Sequence, residues 1–178
     1  MTTPVTRYSS AIVALHWITA AIILLLLTVG GSMLEDTPNA SPEKIGVLRT
    51  HLILGGTAVF LTLIRMVLKR TTALPAAASG NPMLDKAALA GHLALYLVVL
   101  LVGFSGVALA LQTGLPGILF FGSGGALPAD FHEFTPRIVH GLLTKVLFAL
   151  VGLHVLAALY HQFVLKDGLF RRMWFGAR

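Results

Sequence analysis

Residues 137–166 read R-I-V-H-G-L-L-T-K-V-L-F-A-L-V-G-L-H-V-L-A-A-L-Y-H-Q-F-V-L-K. A bilayer crossing takes about 20 apolar residues, so this stretch is long enough to span one. It nevertheless carries three histidines, His140, His154 and His161. Ionisable side chains in such a segment are rare, face the protein interior and usually mark function. His140 and His154 lie fourteen residues apart. At about 100° and about 1.5 Å per residue they fall on nearly one helix face, about 21 Å apart along the axis. The stripe therefore offers two stacked sites, one near each membrane surface. No single metal ion reaches both, whereas two haems, each edge-on to this helix, can.

The rest of the chain fits a membrane setting. Of its 178 residues, 56% are hydrophobic and 11% charged, against about 25% charged in soluble domains. There is no cysteine, which excludes disulfides, thiolate haem ligands, covalent c-type attachment and cysteine-held iron–sulfur clusters. The first apolar run is too long for a cleaved signal peptide, holds His16 and Trp17, and lacks a small-residue cleavage pattern.

Four apolar runs, about 10–31, 47–68, 87–111 and 138–165, predict four membrane spans. Their lack of strand alternation makes them helices. Fairly short loops predict an all-α, up-down-up-down bundle with cofactors between facing helices. With no internal repeat, residues 1–178 read as a single domain. Gly55, Gly56, Gly103, Gly106 and Gly152 permit close approach of helices or of a haem plane.

The formal charge is +6, and its placement matters more than its size. Loop 32–46 holds Glu35, Asp36 and Glu43 against Lys44, and loop 112–137 holds Asp130 and Glu133 before Arg137. Arg7, Lys69, Arg70, Lys86, Lys166, Arg171, Arg172 and Arg178 gather on the termini and the loop 69–86. The positive-inside rule then puts both termini in the cytoplasm of a bacterial inner membrane. This basic pattern points to lipid headgroups and not to nucleic acid. Trp17 and Trp174 read as headgroup anchors or as internal packing.

That polarity sorts the histidines by depth. His51 and His140 are the intramembrane histidines of the outer side, and an outer haem would take both as axial ligands. On the inner side stand His16, His92, His154 and His161. His16 is paired here with His154, with His92 as the rival ligand. The alternative for any lone intramembrane histidine is an interhelical hydrogen bond. His92 and His161 can also serve a haem propionate or a quinone, and His132 reads as solvated. A zinc or copper site would need three or four convergent ligands, and the outer level has two.

Arg49 and Arg137 open the second and fourth spans, where a cation opposes the helix dipole. Outer haem propionates would compensate them, as would solvent or Glu133. Their field would also attract an anionic donor. Lys145 is about 140° around the helix from His140 and reads as snorkelling to the interface. Arg65 reaches headgroups or an inner propionate.

R-Y-S-S-A-I-V-A-L-H-W, R-T-H-L-I-L-G-G, G-H-L-A-L-Y-L, the pair His140 and His154, and L-H-V-L-A-A-L-Y-H with F-V-L-K-D-G-L-F-R-R-M follow one another along the chain. In that order they resemble the prokaryotic cytochrome b561 family, specifically its small di-haem, superoxide oxidase-like proteins. The resemblance implies two b haems, with iron held by His16 and His154 and by His51 and His140. It implies that His161 belongs to a cytoplasmic-side quinone site. It implies electron transfer from superoxide, or from another periplasmic donor, to ubiquinone. Gly141 and Lys145 depart from the polar neutral or acidic residues of some relatives. The other expectations for the same bundle are a di-haem relay subunit docked to a partner protein, such as a dehydrogenase, hydrogenase or periplasmic carrier, and a haem-free structural or transport bundle.

Overall fold

A helix in lipid satisfies its own backbone, so polar groups at its ends decide where it stops. The computed structural model describes residues 5–76, 81–122 and 125–176; Arg178, counted above with the basic tail, lies outside them. Four helices are long and apolar enough to cross a membrane: Ser10–Asp36, Glu43–Thr71, Pro82–Gln112 and Thr135–Leu165. They are the first to fourth spans below, and no strand occurs among the described residues. Each apolar run lies within its span, and the helices extend past most of the run ends because capping ends them. The Ser9 hydroxyl accepts from the Ile12 amide, and the Asn81 side chain accepts from the Met83 amide ahead of the third span. Lys44, read from sequence as a loop charge, is 5% exposed. Its Nζ donates to the Leu34 carbonyl and, at 2.7 Å, to the Thr37 carbonyl. A cation there complements the C-terminal end of the first span.

Packing is uneven. The fourth span lies closely along the third, and the first along the second. The fourth does not pack comparably against the first or the second. Second and third spans meet at Gly103, where a Cβ would fall 2.5 Å from Val59 Cγ2. Outward faces carry Phe60, Leu93, Phe104, Leu142 and Leu156, all exposed as lipid-facing side chains are.

The loop after the third span folds over the end of the bundle away from the termini. Gly114 takes the left-handed conformation (φ 67°) and starts a short helix, Leu115–Phe120. Leu115 and Leu119 bury against Leu48, Ala110 and Phe131. Arg49 ties this helix down, donating to the Leu119 carbonyl from Nε at 3.0 Å and Nη2 at 2.6 Å. At the other end the termini meet. Tyr8 N donates to the Arg172 carbonyl, and Trp17 Nε1 to the Met173 carbonyl at 2.8 Å. Trp17 packs against Phe170 and Trp174, so of its two expected roles it takes internal packing.

Because Gly103 leaves no room for a methyl group, Gly103→Ala should destabilise the bundle by about 1–3 kcal/mol. Val59→Ala in the same chain should recover most of the loss, since the clash is with that one side chain. Detergent unfolding of the two single variants and the double variant checks this. Additive losses would place the constraint elsewhere.

Candidate functional site

Neutral imidazole in a membrane needs a partner for each ring nitrogen or a reason to be there. The spans bring the histidines together at two levels. At one level the ring centroids of His51 and His140 are 6.1 Å apart with planes crossed at 70°. At the other, His16 and His154 are 6.3 Å apart, also at 70°. Both pairs bridge the fourth span to a span it does not pack along. His92 also approaches His154, at 5.6 Å, across the close third–fourth contact.

These separations can be tested against a shared metal. Metal–imidazole bonds are about 2.0–2.1 Å, and adding about 1.2 Å from nitrogen to ring centre puts two rings on one metal about 6.4 Å apart. His51–His140 and His16–His154 meet that value, and His92–His154 falls short of it. Among the described residues no three histidine or acidic side chains converge as a metal site. Two ligands per level suit a metal whose remaining positions are filled by a macrocycle.

The outer level has the surroundings of such a group. His140 Nδ1 lies 3.1 Å from the Val102 carbonyl and 3.1 Å from Ser105 Oγ. A carbonyl only accepts, so Nδ1 carries the proton and Nε2 keeps its lone pair. The Ser105 hydroxyl donates to the Val102 carbonyl at 2.8 Å, which leaves its oxygen to accept from Nδ1. This is how ligating histidines are usually oriented. Gly106 makes the approach possible, since a Cβ there would be 3.3 Å from His140 Cε1. His51 Nδ1 is buried without a hydrogen-bond partner among the described residues.

Both imidazoles line a mainly apolar cavity of about 480 Å³. Gly55 and Gly56 line it too, and no atom lies within 4 Å of where their Cβ atoms would stand. A flat ring can therefore approach that backbone. A larger cavity of about 1110 Å³ shares His51, His140 and Leu52 with the first and reaches Lys44, Arg137 and Lys145. Lys145, expected to snorkel outward, thus lines the same cavity as His140. Arg137, for which outer haem propionates were expected, with solvent or Glu133 as the alternative, pairs with Glu35 at 3.3 Å. Arg49 lines neither cavity and is occupied by the Leu119 carbonyl. His132 is exposed and bound to Asp130 at 2.9 Å. Hydrogen bonds from the His132 amide and ring hold the Asp130 carboxyl below the usual carboxylate range.

His161 stands apart from both pairs, on the side of the termini. Its Nδ1 is 2.5 Å from Asp167 Oδ2. Sequence reasoning did not single out Asp167. Six residues past His161, it returns to the ring only because Lys166 (φ 51°) and Gly168 (φ 74°) turn the chain back. The K-D-G triplet after the span was the available signal. Sequence reasoning also passed over Ser105, which looks like one more small residue in an apolar helix.

Residues 7–176 match the family described as prokaryotic cytochrome b561. A "Probable superoxide oxidase CybB" of Yersinia pestis is 28% identical, the match covering 94% of this chain and 95% of that protein. "Cytochrome b561 homolog 2" of Escherichia coli is 31% identical, over 94% of this chain and 90% of the relative. "Cytochrome b562" of Cereibacter sphaeroides is 30% identical, over 93% and 94%.

The Asp167 turn carries a pH signature. Burial raises its carboxyl pKa, but the bonds from His161 and from the Leu169 amide together outweigh that and leave it below the ordinary 3.8. A lowered folded value means the turn is fully stabilised above 3.8 and loses this contribution as pH falls through the folded value. Hydrogen exchange at the Leu169 amide, which donates to Asp167 Oδ1 at 3.0 Å, should therefore speed up in that acid window relative to its intrinsic rate. Asp167→Ala, which leaves the Leu169 amide without that acceptor, should expose the amide at neutral pH and flatten the dependence. An unchanged profile in that variant would contradict this.

Proposed function

The chain belongs to the prokaryotic cytochrome b561 family, and we propose that it holds two b haems that pass electrons across the bacterial inner membrane from superoxide to ubiquinone. The membrane electron-transfer role comes with the family. The observation that carries the di-haem reading is the pair of imidazole couples, His51–His140 and His16–His154, each at the spacing of a shared metal and both built on the fourth span. When bound, the haems supply the one-electron chemistry.

The chain's own residues do the rest. Four neutral imidazoles, His16, His51, His140 and His154, would hold the irons, and the bonds from His140 to Val102 and Ser105 fix its tautomer and ring plane. The preference for His16 over His92 rests on separation and on the close packing of third and fourth spans behind His92. At the outer mouth Lys44, Arg137 and Lys145 outnumber Glu35 and Asp130 along the larger cavity, and such a surplus concentrates a small anion. Superoxide fits by charge and size, and a relative named for superoxide oxidase activity spans nearly the same length. At the inner end His161, whose bond to Asp167 supports this reading, would hand a proton to a quinone oxygen. Two superoxide anions become two dioxygen molecules as one ubiquinone takes two electrons and two protons to become ubiquinol.

Pyridine haemochrome analysis should give two b haems per chain. His51→Ala and His140→Ala should each remove one, and His16→Ala and His154→Ala the other, while His92→Ala keeps both. Retention of both haems by either fourth-span variant would defeat the assignment.

The purified protein should reduce ubiquinone when supplied with superoxide and no other protein. Replacing Arg137 and Lys145 by glutamine, with haem content matched to wild type, should slow this several-fold at low ionic strength. The difference should shrink as salt screens the field. No superoxide-driven reduction by the wild type would instead favour a relay subunit with a docked protein donor.

A further inference from the structure

Two cations at the inner histidine level form no ion pair among the described residues. Arg65 and Lys69 stand about one turn apart on one face of the second span. Arg65 Cζ is 5.8 Å from the centre of the Tyr96 ring, and Lys69 Nζ is 5.7 Å from it. Arg65 Nε is buried and has no acceptor among the described residues. The ion pairs of the described residues are His132–Asp130, Arg137–Glu35 and His161–Asp167, and none includes either cation. The second span carries no acid after Glu43. Arg65 follows His51 by fourteen residues, about 21 Å along the second span, the same spacing that separates His140 from His154.

A charge taken out of water needs a partner, or its burial is costly. The face of Tyr96 attracts each cation, but weakly beside that cost. Arginine's planar fork matches a carboxylate, and lysine adds a point charge. We propose that Arg65 and Lys69 form an anion site at the inner level that takes the two carboxylates of the haem held by His16 and His154. This rests on the di-haem reading above. A lipid phosphate has similar chemistry. It belongs at headgroup depth, however, and Arg65 lies six residues, about 9 Å, inside the end of its helix at Thr71. Two cations also match two carboxylates on one ligand better than they match one phosphate.

The test is a redox titration of purified holoprotein in nonionic detergent. It compares wild type, Arg65→Gln, Lys69→Gln, the double variant and Arg65→Lys across neutral pH. The inner haem is identified as the one missing from His154→Ala. Removing a nearby cation favours the oxidised, more positive haem, so its midpoint potential should fall while the outer one stays. Carboxylates released from the cations should titrate nearer neutrality and bind protons more tightly once the haem is reduced. The inner midpoint should therefore fall further as pH rises, a dependence the wild type lacks. Arg65→Lys should restore most of the wild-type behaviour. If Arg65→Gln fails to retain the inner haem, Lys69→Gln gives the same reading alone. Unchanged inner potential and pH dependence, with both haems present, would overturn the proposal. So would an unchanged potential accompanied by loss of bound phospholipid phosphorus, which would assign the anion to lipid. A wild type lacking the inner haem would overturn the di-haem reading, and this site with it.

Discussion

The fold turns on a gap that the fourth span keeps from the first and second. Helices in lipid gain little from a hydrophobic effect between them and associate through close packing and polar contacts. Here the fourth span packs along the third, and histidines bridge it to the other two. His140 and His154 face across that gap at two depths, and His51 and His16 answer them. Glycines at 55, 56, 103 and 106 line the outer part of it. Gly103 seats one span on Val59, Gly106 admits His140, and Gly55 and Gly56 leave backbone bare toward the cavity. One residue type thus serves helix contact at one position and ring access at another.

The two ends of the molecule are built differently. The end away from the termini is closed by a folded loop whose apolar side chains form the main buried cluster, with Arg49 and Lys44 holding carbonyls that the helix ends leave over. Cations expected to serve a cofactor or solvent are partly spent on the backbone there, and Arg137 and Lys145 remain at the cavity. The opposite end is closed by contact between the termini around Trp17. Its cations, Arg65 and Lys69, meet an aromatic ring and, among the described residues, no acid.

Much of this was legible in the sequence. Hydropathy located the four spans, since lipid demands long apolar helices, and the fourteen-residue histidine spacing named the helix that carries both levels. Pairing at the outer level followed from depth alone. What hydropathy could not place were helix ends, because capping by Ser9, Asn81 and Lys44 decides those. Partners set by loop conformation were also hidden. Glu35 reaches Arg137 because the first span runs on to Asp36, and Asp167 reaches His161 because two residues turn left-handed. Periodicity carries no trace of either. The sequence paired His16 with His154 and kept His92 as the rival, but it carried no trace of their ring separations from His154, which depend on how closely neighbouring helices approach.

Electron paramagnetic resonance of the oxidised purified protein tests the central claim most directly. Two imidazole pairs with planes crossed near 70° should give two low-spin ferric signals of equal intensity. Both should be strongly anisotropic, as crossed ligand planes make them. A single low-spin signal, or a stoichiometric high-spin signal, would contradict an account in which each of two levels is closed by two histidines.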